Sequence, residues 1–315
     1  MTTVTTTADV SVKFNKISGK YQCRIAGKDF STTKTDYVEY MYRKLTGNKA
    51  NFQTIMQMAE GSLVESVSTK FDINKRFGFV EQLVKMVASG VQASAVITGQ
   101  GGLGKTFTVQ RTLDAAGYVD MSDMTSFEEG MVINRAKTYT MVKGYSTAKG
   151  LYRTLFELNN SVIVFDDCDD VLKDPTALNL LKGALDSNGR RIISWRADFR
   201  DEDLPRSFEF TGRVIFISNL DQSRIDQAIR SRSMMIDLTM TDDQKIDRMA
   251  YIAQSAEFMP EFELDAKMDA LELIRDLKAS AKEISLRTLI SVTKIRASSE
   301  GNDDWKGLAE YVLCA

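Results

Sequence analysis

The sequence contains no histidine, and this absence excludes several kinds of site at once. A Ser-His-Asp triad, a histidine general base and a histidine-ligated metal centre all need an imidazole. Cysteine is scarce as well, because Cys23, Cys168 and Cys314 are widely spaced and odd in number. They predict neither a disulfide framework nor a zinc site, and such sparing use of cysteine is typical of a reducing compartment, so we expect a cytoplasmic setting.

Long apolar runs and a strong net charge are also missing. No stretch approaches the roughly 20 apolar residues of a membrane helix, and the opening MTTVTTTADV predicts no signal peptide and no membrane partner. The formal net charge is −2, so any attraction to nucleic acid must come from a local patch. The 315 residues are long enough for a large core and for more than one domain.

The first part of the chain differs from the rest. Apolar and polar residues alternate around turn signals at 18–19 and 26–27, which predicts a β-hairpin. Helical spacing follows, with Thr35 or Asp36 as the expected N-cap, and a second helical pattern covers 51–67. Residues 1–70 contain ten Lys/Arg and six Asp/Glu, so this part is mildly basic. We predict a small α+β accessory domain over 1–75.

The middle of the chain alternates short apolar runs with helical patterns. The predicted strands are SAVITG, KTYTMV, SVIVFDD, RRIISW and RVIFISN, and amphipathic segments separate most of them. This alternation predicts a parallel sheet covered by helices over 76–240. After Thr239 the pattern is helical throughout, which predicts an all-helical region over 241–315.

A glycine-rich turn between a strand and a helix carries the strongest motif. The segment GQGGLGKT, called the glycine loop below, fits the phosphate-binding pattern G-x-x-x-x-G-K-[ST] in the required strand-to-helix context. Glycines let backbone N–H groups turn inward around phosphates, and the helix N-terminus favours negative charge. We expect Lys105 to reach the β- and γ-phosphates of ATP and the Thr106 hydroxyl to ligate Mg²⁺. The predicted nucleotide-binding residues here are Gly99, Gln100, Gly101, Gly102, Leu103, Gly104, Lys105 and Thr106.

An acidic cluster follows the strand VIVF. A nucleotide loop of this kind needs a carboxylate on a neighbouring strand to hold Mg²⁺, and Asp166 stands at the carboxyl end of an apolar strand, where open α/β sheets bind ligands. We expect Asp169 and Asp170 to cap the next helix or to lie in solvent. Flanking acids raise the pKa of a thiol, so Cys168 is interpreted as structural.

Together with three later segments, these motifs resemble those of the AAA+ ATPases over roughly residues 76–300. GRVIFISNLD resembles the sensor 1 strand, with Asn219 at its tip. IDQAIRSRSMMIDL resembles the arginine-finger segment, with Arg232 as the first choice and Arg230 as the second. EISLRTLISVTKI resembles sensor 2, with Arg287 one turn into a helix capped by Ser285.

The resemblance implies a role for each of these residues. Asp166 would hold Mg²⁺, Asp167 would polarise the attacking water, and Asn219 would hold that water or the γ-phosphate. Arg232 or Arg230 would reach the nucleotide of a neighbouring subunit, and Arg287 would touch the phosphates from a helical lid over 241–315. An arginine finger acts between subunits, so the resemblance also implies a homo-oligomeric ring, often a hexamer, with ATP and Mg²⁺ as cofactors.

The sequence departs from the AAA+ pattern at the acidic strand end. Most members have Asp-Glu there, whereas this chain has Asp166 and Asp167. The paired aspartates are similar to those of the superfamily 3 helicases of viruses, and LLKGALDSNGRRIISWRA loosely resembles a segment of those helicases. They generally lack a sensor 2 lid. The resemblance is therefore to a viral or phage-like AAA+ protein, which would act in the cytoplasm of a bacterial host.

Two segments are candidates for contact with a substrate. MVKGYSTAKGLY offers Lys143 and Tyr145 for a pore loop, or simply a turn with Ser146 or Thr147 as a helix cap. GRRIISWRADFRDEDLPR places arginines beside aromatic rings, as a single-stranded DNA groove does, although a hairpin or a subunit interface would have the same composition. Its candidate residues are Arg190, Arg191, Trp195, Arg196, Phe199 and Arg200.

These observations favour an ATP-driven ring motor that remodels DNA or a DNA–protein complex. One alternative is a protein remodeller or unfoldase that grips polypeptide with Tyr145. Another is a slow nucleotide-switched scaffold, which would follow if Asp167 replaces the usual Glu poorly, since its side chain is one methylene shorter.

Overall fold

The computed structural model describes residues 10–15, 18–47, 49–52, 55–56, 71–122, 134–144, 147–186, 189–195, 204–299 and 304–314. The chain forms two compact units, Met1–Asp72 and Ile73–Ala315, each of which is described by itself. Most of the second helical pattern predicted over 51–67 lies outside the described residues.

The first unit contains a three-stranded antiparallel sheet and one helix. The sheet has the order β1-β2-β3, and its elements are β1 (Val10–Asn15), β2 (Lys20–Ile25), β3 (Lys28–Thr32) and α1 (Thr35–Thr46). The prediction of a single hairpin was wrong, because the second turn signal starts another strand with Gly27 at φ 76°. The predicted helix caps were also wrong: Lys34 is the N-cap and makes no side-chain cap bond, so Thr35 and Asp36 lie inside the first turn.

The second unit is built on a six-stranded sheet in which every pairing is parallel. Its strands are β4 (Ser94–Thr98), β5 (Val119–Asp120), β6 (Thr138–Lys143), β7 (Val162–Asp166), β10 (Arg213–Ile217) and β11 (Met234–Asp237). Their order is β11-β4-β10-β7-β6-β5, so β10 lies between β4 and β7. The sequence analysis did not predict β5 or β11 as strands.

Two further strands form a small sheet of their own. Strand β8 (Ile192–Ser194) pairs with β9 (Ser207–Glu209) in antiparallel fashion. The expectation that RRIISW joins the alternating parallel pattern was therefore wrong. In β8 only Ile193 is buried, whereas all five residues of β4 and of β7 are, so β8 lacks the continuous apolar run of a central parallel strand.

Helices cover both faces of the parallel sheet. They are α2 (Ile73–Ala88), α3 (Lys105–Ala115), α4 (Ala148–Glu157), α5 (Pro175–Ala184) and the short α6 (Gln227–Arg230). Helices α2 and α3 pack with Ala95 and Ile97 of β4, whereas α4 and α5 share a core with Val96. Neighbouring residues of a strand point to opposite faces, so this division shows a three-layer α/β arrangement.

The region after residue 240 is helical, as predicted. Its helices are α7 (Asp242–Ala253), α8 (Leu264–Asp276), α9 (Leu286–Ala297) and α10 (Trp305–Cys314), and they enclose an apolar core of their own. Helix α7 begins with a capping box of Thr241 and Gln244. In the described part of the chain, no helix combines the length and the apolar character that crossing a bilayer would need.

Candidate functional site

The glycine loop connects the carboxyl end of β4 to the start of α3. Gly104, at φ 90°, is the N-cap of α3, and buried Leu103 anchors the loop in the core. Gly99 is at φ 133°, and a Cβ there would lie 2.8 Å from the backbone carbonyl carbon of Leu238. A residue with a Cβ would have to displace the backbone of Leu238, which follows β11. This conformation of the loop therefore requires glycine at position 99.

The ammonium group of Lys105 lies inside this loop. Its Nζ donates to the carbonyl oxygens of Gly99 at 2.5 Å and Gln100 at 2.7 Å, and to Asn219 Oδ1 at 3.0 Å. The residue is only 5% exposed. Burial lowers the pKa of Lys105 to about 8, even though the nearby carboxylates of Asp167 and Asp166 act in the opposite direction.

Asp166 and Thr106 meet from β7 and α3. The Thr106 hydroxyl donates to the carboxylate of Asp166, with its Oγ1 3.0 Å from Oδ1 and 3.2 Å from Oδ2. Asp166 is 7% exposed, and this burial raises the pKa of its carboxyl, opposed by the Thr106 hydrogen bond. Lys143 ends the neighbouring strand β6 in register with Asp166, and its Nζ lies 3.9 Å from Oδ2.

This hydroxyl–carboxylate pair fits Mg²⁺ better than it fits a metal held by protein ligands alone. Among the described residues there is no cluster of three or more His, Cys, Asp or Glu side chains that could enclose a metal ion. Mg²⁺ usually keeps several waters and binds one or two carboxylates together with substrate phosphates. Thr106 and Asp166 are the described residues that could hold Mg²⁺ in this way.

Asp167 and Asn219 form a second polar pair beside the first. Asp167 is exposed and has φ 55°, and its backbone N–H donates to the carbonyl oxygen of Ile217 at 3.1 Å. Asn219 Nδ2 donates to Asp167 Oδ1 at 2.6 Å, while Oδ1 of the same amide accepts from Lys105. Asn219 therefore links the lysine of the glycine loop to the second aspartate, and three strands bring these side chains to one sheet edge.

The remaining residues of the acidic cluster have other contacts. Of the two alternatives predicted for Asp169 and Asp170, the helix cap was wrong, because Asp174 is the N-cap of α5, whereas exposure to solvent is confirmed for Asp170. Asp169 instead accepts a hydrogen bond from the Ser218 hydroxyl at 2.5 Å, and exposed Asp170 lies 3.9 Å from Lys173. Cys168 is buried, and burial beside Asp166 raises its thiol pKa to about 11, which agrees with a structural residue.

The N-terminus of α9 contacts the glycine loop directly. Ser285 caps α9 as predicted, accepting from Thr288 N at 3.4 Å, and Leu286 N donates to the carbonyl oxygen of Gly102 at 2.8 Å. A Cβ at Gly102 would lie 3.0 Å from Ser285 Cβ. The next residue, Arg287, is exposed, and its guanidinium has no hydrogen-bond or ion-pair partner among the described residues. The structure thus brings the predicted sensor 2 segment to the loop.

Arg230 and Arg232 lie away from this site. They precede β11, which runs parallel to β4, so they belong to the amino-terminal edge of the sheet and the glycine loop to the other edge. The four residues of β11 span about 13 Å. Arg232 Nη1 donates to the carbonyl oxygen of Ala228 at 3.1 Å, and Arg230 is exposed. Within one chain, neither arginine is brought to the glycine loop.

The two predicted substrate segments are described only in part. Tyr145, Ser146, Arg196, Phe199 and Arg200 lie outside the described residues, and Thr147 caps α4 by accepting from Gly150 N.

The described members of the second segment have internal partners. Arg190 pairs with Glu209, Arg191 stacks on the Phe210 ring, and Trp195 packs on the core with its ring 5.8 Å from that of Tyr152. These contacts are those of a folded hairpin, which was one of the alternatives.

Sequence reasoning missed the position of Lys143 next to Asp166. It assigned Lys143 to a substrate loop because the residue follows an apolar run and precedes Gly144. Pairing the two predicted strands would have placed it correctly, because β6 and β7 are parallel neighbours and their last residues therefore lie side by side.

The fold and this edge together define a three-layer α/β protein with a glycine loop at the carboxyl ends of its parallel strands. No protein-family model matches the chain. Over 257 residues the chain is 28% identical to an uncharacterized 36.7 kDa protein of Enterobacteria phage T4, from the nrdC-mobD intergenic region. The comparison covers 73% of this chain and 73% of the phage protein.

Proposed function

We propose that the protein is a Mg²⁺-dependent ATPase of the AAA+ type. The observation that carries this proposal is the meeting of Lys105, Asn219 and the Thr106–Asp166 pair at one edge of a parallel sheet. Lys105 and Thr106 come from α3, Asp166 from β7 and Asn219 from the turn after β10. All of them surround a loop whose glycines favour close approach of phosphate. The strand order supports the proposal, because β10 brings Asn219 between the loop strand and the acidic strand.

The residues divide the chemistry among them. Bound Mg·ATP supplies a transferable γ-phosphoryl group and a divalent charge that neutralises the phosphate oxygens. Lys105 would donate to the phosphates in place of the carbonyl oxygens of Gly99 and Gln100, and Thr106 and Asp166 would hold the metal. Asp167 accepts a proton of the attacking water and orients it, and Asn219 fixes the position of Asp167 through their 2.6 Å hydrogen bond.

We further propose that the active form is a homo-oligomeric ring. Arg232 and Arg230 lie at the sheet edge opposite to the glycine loop, so an arginine from that edge can complete a site only in another copy. A finger supplied in this way raises turnover by roughly 10³–10⁵ in other nucleotide hydrolases. Arg287, which follows the residue bonded to Gly102, would contact the same phosphates from the helical region.

DNA or a DNA–protein complex is the proposed substrate of the motor. The first unit supports this assignment, because Lys13, Lys20 and Arg24 are all exposed and all lie on strands β1 and β2. Their side chains alternate with the buried residues Val12 and Cys23, so they share the face that does not pack on α1. The phage relative supports action in the cytoplasm of an infected bacterium.

ATP hydrolysis by the purified full chain tests the proposal. The native chain with Mg²⁺ should release phosphate, and Lys105→Ala should bind no ATP. Lys85→Ala, which removes an exposed lysine of α2 outside the site, is the matched control and should keep full turnover. Tight ATP binding by the Lys105→Ala chain would overturn the assignment of the loop.

The same assay separates the possible substrates. Single-stranded DNA should bind at low salt, where phosphate contacts are strongest, and should change the rate of hydrolysis. An unfolded polypeptide that stimulates hydrolysis while DNA does not would favour the unfoldase. A rate that neither polymer changes, and that stays below about one turnover per minute, would favour the nucleotide-switched scaffold, since ordinary enzymes turn over at ~1 s⁻¹ or faster.

A further inference from the structure

A cavity of about 500 Å³ opens at the sheet edge opposite to the glycine loop. Its lining includes Gln92 before β4, Arg213 at the start of β10 and Arg232 before β11, so it faces the amino ends of the strands. Arg191, just before β8, lines it as well. Among the described residues that line this cavity, Asp186 is the one acid beside three arginines.

Each arginine is held in place by neutral acceptors. Arg191 donates to the carbonyl oxygen of Ala184 at 3.1 Å and Arg232 to that of Ala228 at 3.1 Å. Arg213 donates to the carbonyl oxygens of Ala88 and Ala136, the second at 3.1 Å. These hydrogen bonds orient the guanidinium groups, and Ala88 and Ala184 end helices α2 and α5. A carbonyl oxygen carries no net charge, so the three positive charges are positioned without being neutralised by these bonds.

Two observations show that this cluster leaves interactions unmade. The Nε of Arg232 is buried and has no hydrogen-bond partner. Burial and the nearby charge of Arg213 lower the pKa of Arg191 below the ordinary value of an arginine, which is the direction that crowded positive charge produces. An anion in the cavity would balance the charge of the three guanidinium groups and accept hydrogen bonds from their exposed N–H groups.

We propose that this cavity binds the phosphate groups of a polyphosphate anion. The planar guanidinium fork matches phosphate oxygens in pairs, and the volume lies within the usual range of small-molecule sites. The proposed ATPase assigns no role to Arg191 or Arg213, so the inference goes beyond the proposed function.

Two sources offer this chemistry: a free nucleotide or polyphosphate, or the triphosphate held by the glycine loop of a second copy. The second source rests on the proposed ring, and the first does not.

Calorimetric titration with inorganic tripolyphosphate tests the free anion. The Lys105→Ala chain is used, so that the glycine loop cannot account for binding. Saturable binding is expected, and adding Arg191→Gln or Arg232→Gln should weaken it by about tenfold or more. Arg191→Lys keeps the charge but loses the guanidinium fork, so its affinity should lie between those of the native residue and of Arg191→Gln.

Arg224→Gln, a change of an exposed arginine outside the cavity, is the matched control and should leave the affinity unchanged. The thermal midpoint of each variant separates lost binding from lost folding.

Sedimentation of a mixture tests the second source. One chain carries Lys105→Ala and has an intact cavity, and the other carries Arg191→Gln with Arg232→Gln and has an intact glycine loop. If the ligand is the nucleotide of a neighbour, ATP should drive these two chains together, and neither chain alone should associate.

Two results together would overturn the proposal: an affinity for tripolyphosphate that neither cavity substitution changes, and no association of the mixed chains on addition of ATP. The native chain can still hydrolyse ATP in that case, so the ATPase is judged by its own assay.

Discussion

At the scale of single residues, the proposed hydrolysis depends most on Asp167. Its backbone has left the extended conformation of the strand and is left-handed, at φ 55°. In this conformation its side chain accepts a hydrogen bond from Asn219. This geometry offers a reason why the shorter side chain of Asp167 can occupy the position at which most members of the AAA+ family have Glu. A misplacement of about 1 Å can cost on the order of 10²-fold in rate, so the hydrogen bond from Asn219 would matter for catalysis.

Replacing Asp167 with Asn separates binding from chemistry. The amide keeps the shape but cannot take a proton from water, so ATP should bind with native affinity while hydrolysis falls by about 10²-fold or more. Binding is measured by titration with ATP and turnover by phosphate release. Asp170→Asn, which changes an exposed aspartate that forms an ion pair with Lys173, is the control and should retain native turnover. Native turnover in the Asp167→Asn chain would remove Asp167 from the mechanism.

The buried ammonium of Lys105 predicts a pH dependence. Its folded pKa is about 8, below the ordinary 10.5, so the folded chain releases this proton first as pH rises. The phosphates need the charged form, and nucleotide affinity should therefore be constant below pH 7 and fall as pH passes 8. The effect on stability has the opposite sign. Between these two pKa values the unfolded chain binds more protons than the folded chain, so the free energy of unfolding should rise as pH rises.

Titration of ATP into the protein from pH 6.5 to 9.5 measures this effect. Lys105→Arg is the control, because a guanidinium keeps its charge over the whole range and any residual affinity should not fall. An affinity that stays level for the native chain up to pH 9.5 would contradict the assignment of the lowered pKa to the binding group.

At the scale of elements, the close approach of the glycine loop to the end of β11 fixes one position. A Cβ at Gly99 would meet the Leu238 backbone at 2.8 Å, and the backbone at φ 133° is strained for any other residue. Gly99→Ala should therefore lower the free energy of unfolding by roughly 2–4 kcal/mol.

Gly117→Ala is the matched control for that substitution. Gly117 also has a positive φ, 76°, but nothing lies within 4 Å of its would-be Cβ, so it should lose only about 1 kcal/mol. Urea unfolding measures both variants. Equal losses would show that the contact with Leu238 is not what requires glycine at residue 99.

The sequence could predict those features of the structure that are determined by neighbouring residues. The glycine loop, the strand before Asp166 and the Ser285 cap depend on neighbouring residues, and the structure has each of them where it was expected. Other features depend on which strands pair, and the hydrophobic periodicity of one sequence does not contain that information. They are the extra strand β3, the separate β8–β9 pair and the position of Lys143. The three-arginine cavity is the extreme case, since its members come from distant segments.

At the scale of the whole molecule, the two functional edges of the parallel sheet are separated by its full strand length. The glycine loop lies at the carboxyl edge and Arg232 at the amino edge, so one copy contains both halves of the proposed composite site but does not bring them together. A head-to-tail ring would bring each Arg232 to the loop of the next copy. Hydrolysis should then depend on protein concentration, because dilution separates the two halves.

A mixing experiment tests this arrangement. Lys105→Ala removes the loop site and Arg232→Ala removes the proposed finger, so each variant alone should hydrolyse ATP at least about 10²-fold more slowly than the native chain. An equal mixture should recover part of the activity, because intact loops of Arg232→Ala copies then meet intact Arg232 side chains. Lys105→Ala mixed with a Lys105→Ala, Arg232→Ala chain is the control and should recover nothing. If Arg232→Ala alone hydrolyses ATP at the native rate, or if the mixture stays inactive, Arg232 is not a finger supplied to a neighbouring copy.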